Sequence, residues 1–253
     1  MIKLTGLSKK YGDTFVVNNA DALFPKGEVT AIIGPNGAGK STLLSMASRL
    51  TESDAGEVLI GDKLLAQWGS KELAKHLAVL RQSNNINMRF TVRELVSFGR
   101  FPHSQGRLTD SDNTIIDNAL NELDITYIKD RYLDELSGGQ RQMAFIAMVV
   151  AQDTDYIFLD EPLNNLDIKH SVEIMQTLHR LAAELDKAVV IVIHDINFAA
   201  SYSDNIVAMK KGEVVSAGKV DDVVKADIME SIYEIPFTIK DIDGKKVCLY
   251  FKN

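Results

Sequence analysis

The chain has one cysteine, Cys248, so it can form no internal disulfide. Such usage fits a reducing, cytosolic compartment, and Cys248 reads as a packed strand residue rather than a reactive thiol. Long apolar runs are missing too. Nothing approaches the roughly 18 consecutive apolar residues of a bilayer-spanning helix. The longest run, residues 188–193, has strand length and stops at His194. Met1-Ile2-Lys3-Leu4 lacks the apolar core of a signal peptide. Positive charge is short, with 28 Lys and Arg against 35 Asp and Glu and a formal charge of −7. That argues against a broad nucleic-acid-binding surface, so no nucleic acid is expected as a partner. No internal repeat or low-complexity segment is visible. The rest is ordinary, at 45% apolar and 25% charged residues over 253 positions, enough for one large α/β domain with a subdomain.

Along the chain, residues 2–7, 15–24 and 29–33 read as antiparallel strands leading into a buried central strand, with Pro25-Lys26-Gly27 as a turn. A helix is expected over 40–50, a strand near 57–60 and another over 77–81. From about 88 to 151 strand signals thin and helical periodicity takes over, marking a helical subdomain. Its last helix carries Met143, Ile146, Ala147 and Val150 at the spacing of a buried stripe. Two continuous apolar runs, 156–159 and 189–193, suit parallel strands covered on both faces. Between them Ile168, Val172, Met175, Leu178, Leu181 and Leu185 mark an amphipathic helix. The tail, about 237–251, holds Asp243-Gly244 between alternating runs and reads as a β-hairpin that packs rather than senses a ligand.

Three motifs carry chemistry. Gly34, Pro35, Asn36, Gly37, Ala38, Gly39, Lys40, Ser41 and Thr42 fit G-x-x-x-x-G-K-[ST] between an apolar strand and a helix. Such a loop holds a nucleoside triphosphate by backbone N–H groups; Lys40 supplies charge for the β- and γ-phosphates, and the Ser41 hydroxyl is placed to ligate Mg²⁺. Asp160 and Glu161 end an apolar strand before Pro162. An Asp here helps hold Mg²⁺, and Glu161 is placed to polarise the attacking water. Ser137-Gly138-Gly139-Gln140 opens a long amphipathic helix, which makes a second anion-binding helix start.

In this order the motifs resemble the ATP-binding cassette (ABC) family, from Tyr11 to about Ala217. The resemblance implies a P-loop NTPase of α/β class, with a central mostly parallel sheet, an N-terminal antiparallel β-subdomain and a helical subdomain. Tyr11 resembles the aromatic that stacks on adenine. Gln82 resembles the glutamine that senses Mg²⁺ and the membrane partner. Asn165-Leu166-Asp167 looks like the loop crossing between subunits, and Asp167 is also placed to cap the helix from Ile168. His194 looks like the histidine that contacts the γ-phosphate.

For assembly, the resemblance implies a head-to-tail homodimer with ATP between Lys40 of one chain and Ser137-Gly138-Gly139 of the other. Membrane permease subunits, indirectly an extracytoplasmic binding protein, and a place on the cytoplasmic face of the membrane are implied as well. Residues 91–103 resemble the V-x-E-x-V-x-x-G-R-x-P-[HY] run of iron-siderophore, haem and cobalamin importers, and residues 161–170 resemble the siderophore members. Export remains an alternative. A soluble cassette acting on ribosomes or DNA would show two cassettes or a coiled-coil insertion, and neither is present. A non-catalytic module would have lost Lys40, Glu161 or His194. Two departures stand out: Ser83-Asn84-Asn85-Ile86-Asn87 is polar where many relatives are apolar, and Met148 replaces an Arg frequent in other ABC groups. The cargo itself is not encoded in such a subunit.

Overall fold

The computed structural model describes residues 1–82, 89–164 and 166–251. In chain order its first half comprises β1 (Ile2–Tyr11), β2 (Thr14–Phe24), β3 (Val29–Ile33), α1 (Lys40–Ala47), β4 (Ala55–Ile60), β5 (Lys63–Leu64), α2 (Ser70–Leu73), β6 (Leu77–Leu80), α3 (Val92–Ser97), α4 (Phe101–Ser104) and α5 (Asp110–Glu122). Then follow α6 (Gly138–Ala151), β7 (Tyr156–Asp160), α7 (Ile168–Leu185), β8 (Ala188–Val192), α8 (Ile196–Tyr202), β9 (Asn205–Lys210), β10 (Glu213–Lys219), α9 (Val220–Val223), α10 (Ala226–Tyr233), β11 (Thr238–Ile242) and β12 (Lys245–Leu249).

The central sheet has the order β10-β9-β3-β8-β7-β6. The pairings from β9 through to β6 are all parallel, and β10 joins antiparallel at the edge. Strands β3, β7 and β8 are buried at every residue, as a sheet covered on both faces requires. Their alternate side chains serve different cores. Ile157, Leu159, Val189 and Ile191 join the core under the helices, while Phe158, Val190 and Val192 join the one under the antiparallel sheet β2-β1-β4-β5. Phe24 of β2 meets Phe158 of β7 edge-on at 5.7 Å and ties the two sheets together.

The helices α3, α5 and α6 each begin with a reciprocal cap: Thr91 with Glu94, Thr109 with Asp112, and Ser137 with Gln140. Gly99 lets the turn after α3 press on α6, because a Cβ there would overlap the Met148 carbonyl oxygen. Arg100 is buried beside it. Its guanidinium donates to Asp112 Oδ1 at 2.9 Å and to the Ala151 carbonyl at 2.9 Å, joining α5 to the end of α6.

The expected helix over 40–50 stops at Ala47. The Ser48 hydroxyl bonds back to the Leu44 carbonyl and Arg49 takes a left-handed φ of 60°, which turns its guanidinium to the Leu65 and Trp68 carbonyls. The expected hairpin is β11–β12, with Asp243 and Gly244 both at positive φ in a two-residue turn. Elements β9, β10 and α8–α10 carried no reading from sequence. The polar segment 83–87 and Asn165 lie outside the described residues. No helix among the described residues is long and apolar enough to cross a membrane.

Candidate active site at one edge of the central sheet

Because β3, β6, β7 and β8 run parallel, their C-terminal ends open on one edge, where α/β sheets place ligands. The segment 34–39 leaves β3, Gln82 follows β6, Asp160 and Glu161 end β7, and His194 follows β8. The loop 34–39 approaches its neighbours too closely for side chains at two points. Gly34, at φ 145°, faces the Met209 carbonyl, and Gly39, at φ 97°, faces the Val16 carbonyl. Gly212 N–H donates to the Ala38 carbonyl at 3.0 Å, so the β9–β10 turn holds the loop from outside.

Lys40 is buried at the start of α1, with Nζ donating to the carbonyls of Gly34 at 2.8 Å and Pro35 at 3.0 Å. Burial pushes its pKa below the ordinary lysine value, against the pull of the Glu161 and Asp160 charges. Ser41 Oγ donates to Asp160 Oδ1 at 2.8 Å. The Asp160 carboxyl is raised by burial first and by the neighbouring Glu161 charge, opposed by Ser41, Lys40 and Arg81.

Glu161 is the most crowded group. Gln82 Nε2 donates to its Oε2 at 2.7 Å, Asn164 Nδ2 donates to the same oxygen, and His194 Nε2 lies 2.6 Å from Oε1. Its backbone sits at φ 51°, in the left-handed region that non-glycine residues seldom occupy and that clusters at functional sites. Lys40, Ser41, Asp160, Glu161, Gln82 and His194 are thus linked by direct contacts or charge. Tyr11 stands apart at the end of β1, 57% exposed, paired with Thr14 just ahead of the Val16 that touches the loop.

The Ser137-Gly138-Gly139-Gln140 motif is elsewhere in the chain. Ser137 Oγ accepts from Gln140 N–H at 3.3 Å, and Gln140 Oε1 accepts from Ser137 N–H at 3.2 Å. Gln140 is thereby engaged in the cap, leaving the Gly138 and Gly139 amides at the helix start without intrahelical acceptors. No hydrogen bond among the described residues joins this motif to the loop 34–42. Its neighbour is α7: a Cβ on Gly139 would come within 2.9 Å of the His170 ring. His170 Nδ1 in turn meets Asp167 Oδ1 at 2.7 Å, while Asp167 caps α7 by accepting from the His170 N–H. Leu166 is half-buried just ahead of it.

Asn164 and His170 had no role in the sequence reading. Both lie in the 161–170 run read for its family resemblance, and Asn164 stands three residues after Glu161. His170 stands three after Asp167, a spacing that puts a side chain over a helix cap.

The profile of the ABC transporter family matches residues 17–164. The petrobactin import ATP-binding protein YclP of Bacillus subtilis is 54% identical over 99% of this chain and 100% of its own length. The iron(3+)-hydroxamate import ATP-binding protein FhuC of the same organism is 42% identical, over 95% of this chain and 91% of its own. Among solved structures, the dimeric ABC transporter cassette MJ0796 is 31% identical with a TM-score of 0.77, covering 87% of this chain and 99% of that one.

Proposed function

The chain belongs to the ABC transporter family, and from that premise we propose that it is the ATP-hydrolysing subunit of a membrane importer for iron–siderophore complexes. The carrying observation is the Glu161 carboxylate, covered by His194 on one oxygen and by Gln82 and Asn164 on the other, one residue from the buried Asp160–Ser41 pair.

ATP lies with its phosphates on the amides of loop 34–42, and Lys40 turns from the Gly34 and Pro35 carbonyls to the β- and γ-phosphates. A γ-phosphate offers His194 a more highly charged partner than Glu161. Once His194 leaves, Glu161 Oε1 is free to take a proton from water. The water oxygen bonds to the γ-phosphorus, the bond to the bridging oxygen breaks, and the pair leaves on ADP. Charge on the transferring group is met by Lys40, His194 and the Ser137-Gly138-Gly139 helix start of a second chain.

Ser41 Oγ and Asp160 Oδ1, already 2.8 Å apart, are the hard-oxygen pair that would hold Mg²⁺. Burial raises the Asp160 carboxyl, and a divalent cation beside it relieves that. Gln82, its amide nitrogen engaged by Glu161, would offer its amide oxygen as a further donor. When bound, the ion screens the phosphate charge.

Tyr11 stacks on adenine, and Leu166 and Asp167 reach the second chain. The subunit sits on the cytoplasmic face of the membrane against permease subunits, with an extracytoplasmic binding protein delivering cargo. The similarity to two importer ATPases along nearly the whole chain supports import over export. The test is uptake. A strain lacking this chain should lose uptake of a radio-iron siderophore and regain it with wild type but not with Glu161→Gln. Unimpaired uptake in the deletion strain would sink the import reading.

A further inference from the structure

Resting on the reading of His194 as the γ-phosphate contact, we propose that the β11–β12 hairpin is a positioning element for His194, acting through the side-chain amide of Asn197. The sequence alone reads this hairpin as packing. Its attachment goes further.

His194 lies between β8 and α8 with no ladder of its own. Asp195 caps α8, its Oδ1 accepting from the N–H groups of Asn197 at 2.8 Å and Phe198 at 3.0 Å. The direction of α8 therefore sets where His194 points. Ile196, Ala199 and Ala200 seat one face of α8 on the core, but a helix of seven residues adds little stiffness of its own.

β12 supplies what the helix lacks. Asn197 Oδ1 accepts from the Cys248 N–H at 2.7 Å, and Asn197 Nδ2 donates to the Cys248 carbonyl at 3.2 Å. One carboxamide thus pairs with both polar groups of one strand residue, as a neighbouring strand would. It satisfies both backbone polar groups of Cys248. One turn along the same face, Lys245 Nζ donates to the Ser201 carbonyl at 2.9 Å. The hairpin and α8 are pinned at two points, with Cys248 fully buried between them.

The other end of the C-terminal segment is fixed near the phosphates. Phe237 packs on Tyr233 at 5.8 Å and on Tyr250 at 5.4 Å, which joins the hairpin to α10. The Tyr233 hydroxyl is buried beside the Gly34 backbone. Glu234 pairs with Lys210 at 2.8 Å, and these residues line one cavity with Pro35 and Ala38. Residues 226–251 therefore span from the loop that holds the phosphates to the helix that follows His194. The β3–β8 ladder, closed by the Ile193 N–H on the Ile32 carbonyl at 3.2 Å, sets the separation of the two strand ends, and the C-terminal segment braces the residues that follow them.

The experiment uses the full chain with MgATP. Asn197→Ala should lower kcat about tenfold while leaving KM for ATP within about twofold, since a histidine misplaced by a fraction of an ångström loses transition-state contact but not nucleotide binding. In a His194→Ala background the same substitution should cost nothing further, because its effect runs through the missing imidazole. Cys248 is the sole thiol and buried, so maleimide labelling reads hairpin detachment directly. Labelling should be faster in Asn197→Ala.

Faster labelling with unchanged kcat overturns the proposal, as does an equal kcat loss in both backgrounds. A His194→Ala variant at the wild-type rate removes the reading of His194, and the proposal with it. A His194→Ala loss without any Asn197→Ala loss removes the proposal alone. If Asn197→Ala does not fold, the exposed Lys245→Ala carries the same comparison, with a smaller kcat loss that again vanishes without His194.

Discussion

Glu161 carries three side-chain contacts on one carboxylate, and replacing it by glutamine keeps its shape while removing its basicity. Glu161→Gln should bind ATP as wild type and lose about 10²–10⁴ in turnover, measured by nucleotide binding beside steady-state hydrolysis. Wild-type turnover would end its assignment as the base. Lys40→Ala should show the opposite pattern. Its Nζ is held by two carbonyls of the loop itself, so ATP affinity should fall, checked by calorimetric titration. Unchanged affinity would remove Lys40 from its role. Residue types such as Lys40, Ser41, Asp160 and Glu161 were legible because their spacing places them at strand and helix ends. The contact of Gln82 and His194 on one carboxylate was not. It joins positions 82, 161 and 194, and only the strand order β8-β7-β6 brings those ends together.

At the scale of elements, residues 91–103 show why a resemblance can be carried by structural staples. Glu94 closes the cap with Thr91, Gly99 makes room for Met148, Arg100 buries its charge on Asp112, and His103 Nε2 meets the Gln152 carbonyl at 3.0 Å. Asp112 accepts the Thr109 backbone N–H, the Arg100 guanidinium and the Thr109 hydroxyl, which hold its pKa down at about 2. A depressed folded-state pKa stabilises wherever the unfolded carboxyl would ionise. The contribution is therefore full above about pH 4 and is lost as pH falls through about 2. Asp112→Asn should cost about 3 kcal/mol at pH 7 by leaving Arg100 buried without its charge partner. Urea unfolding should show that deficit shrinking as the pH drops below about 4. A deficit constant with pH would deny the linkage. Gly139→Ala should push on the His170 ring and part the helix start from Asp167, lowering ATP hydrolysis with little change in single-chain ATP affinity.

At the scale of the whole molecule, the central sheet was legible as a parallel one because β7 and β8 are continuous apolar runs. The segment 196–236 was not. Its helices have seven, four and eight residues, too few for periodicity to register. Among the edge contacts it supplies is the Gly212 bond that steadies the phosphate loop. With the helix starts at Lys40 and Gly138 in different places on one chain, the proposed shared site requires ATP to join two copies. Glu161→Gln with ATP should elute as a dimer by light scattering, and wild-type hydrolysis per chain should rise with protein concentration. A concentration-independent rate would argue against a shared site.

The 2.6 Å contact between His194 and Glu161 has a consequence for the economy of the cell. On the roles proposed for His194 and Glu161, ADP brings no γ-phosphate to draw the imidazole away, so a subunit holding ADP should keep the Glu161 carboxylate covered. On that proposal, uptake should follow the ratio of ATP to ADP rather than the total adenylate pool, and slow when energy charge falls.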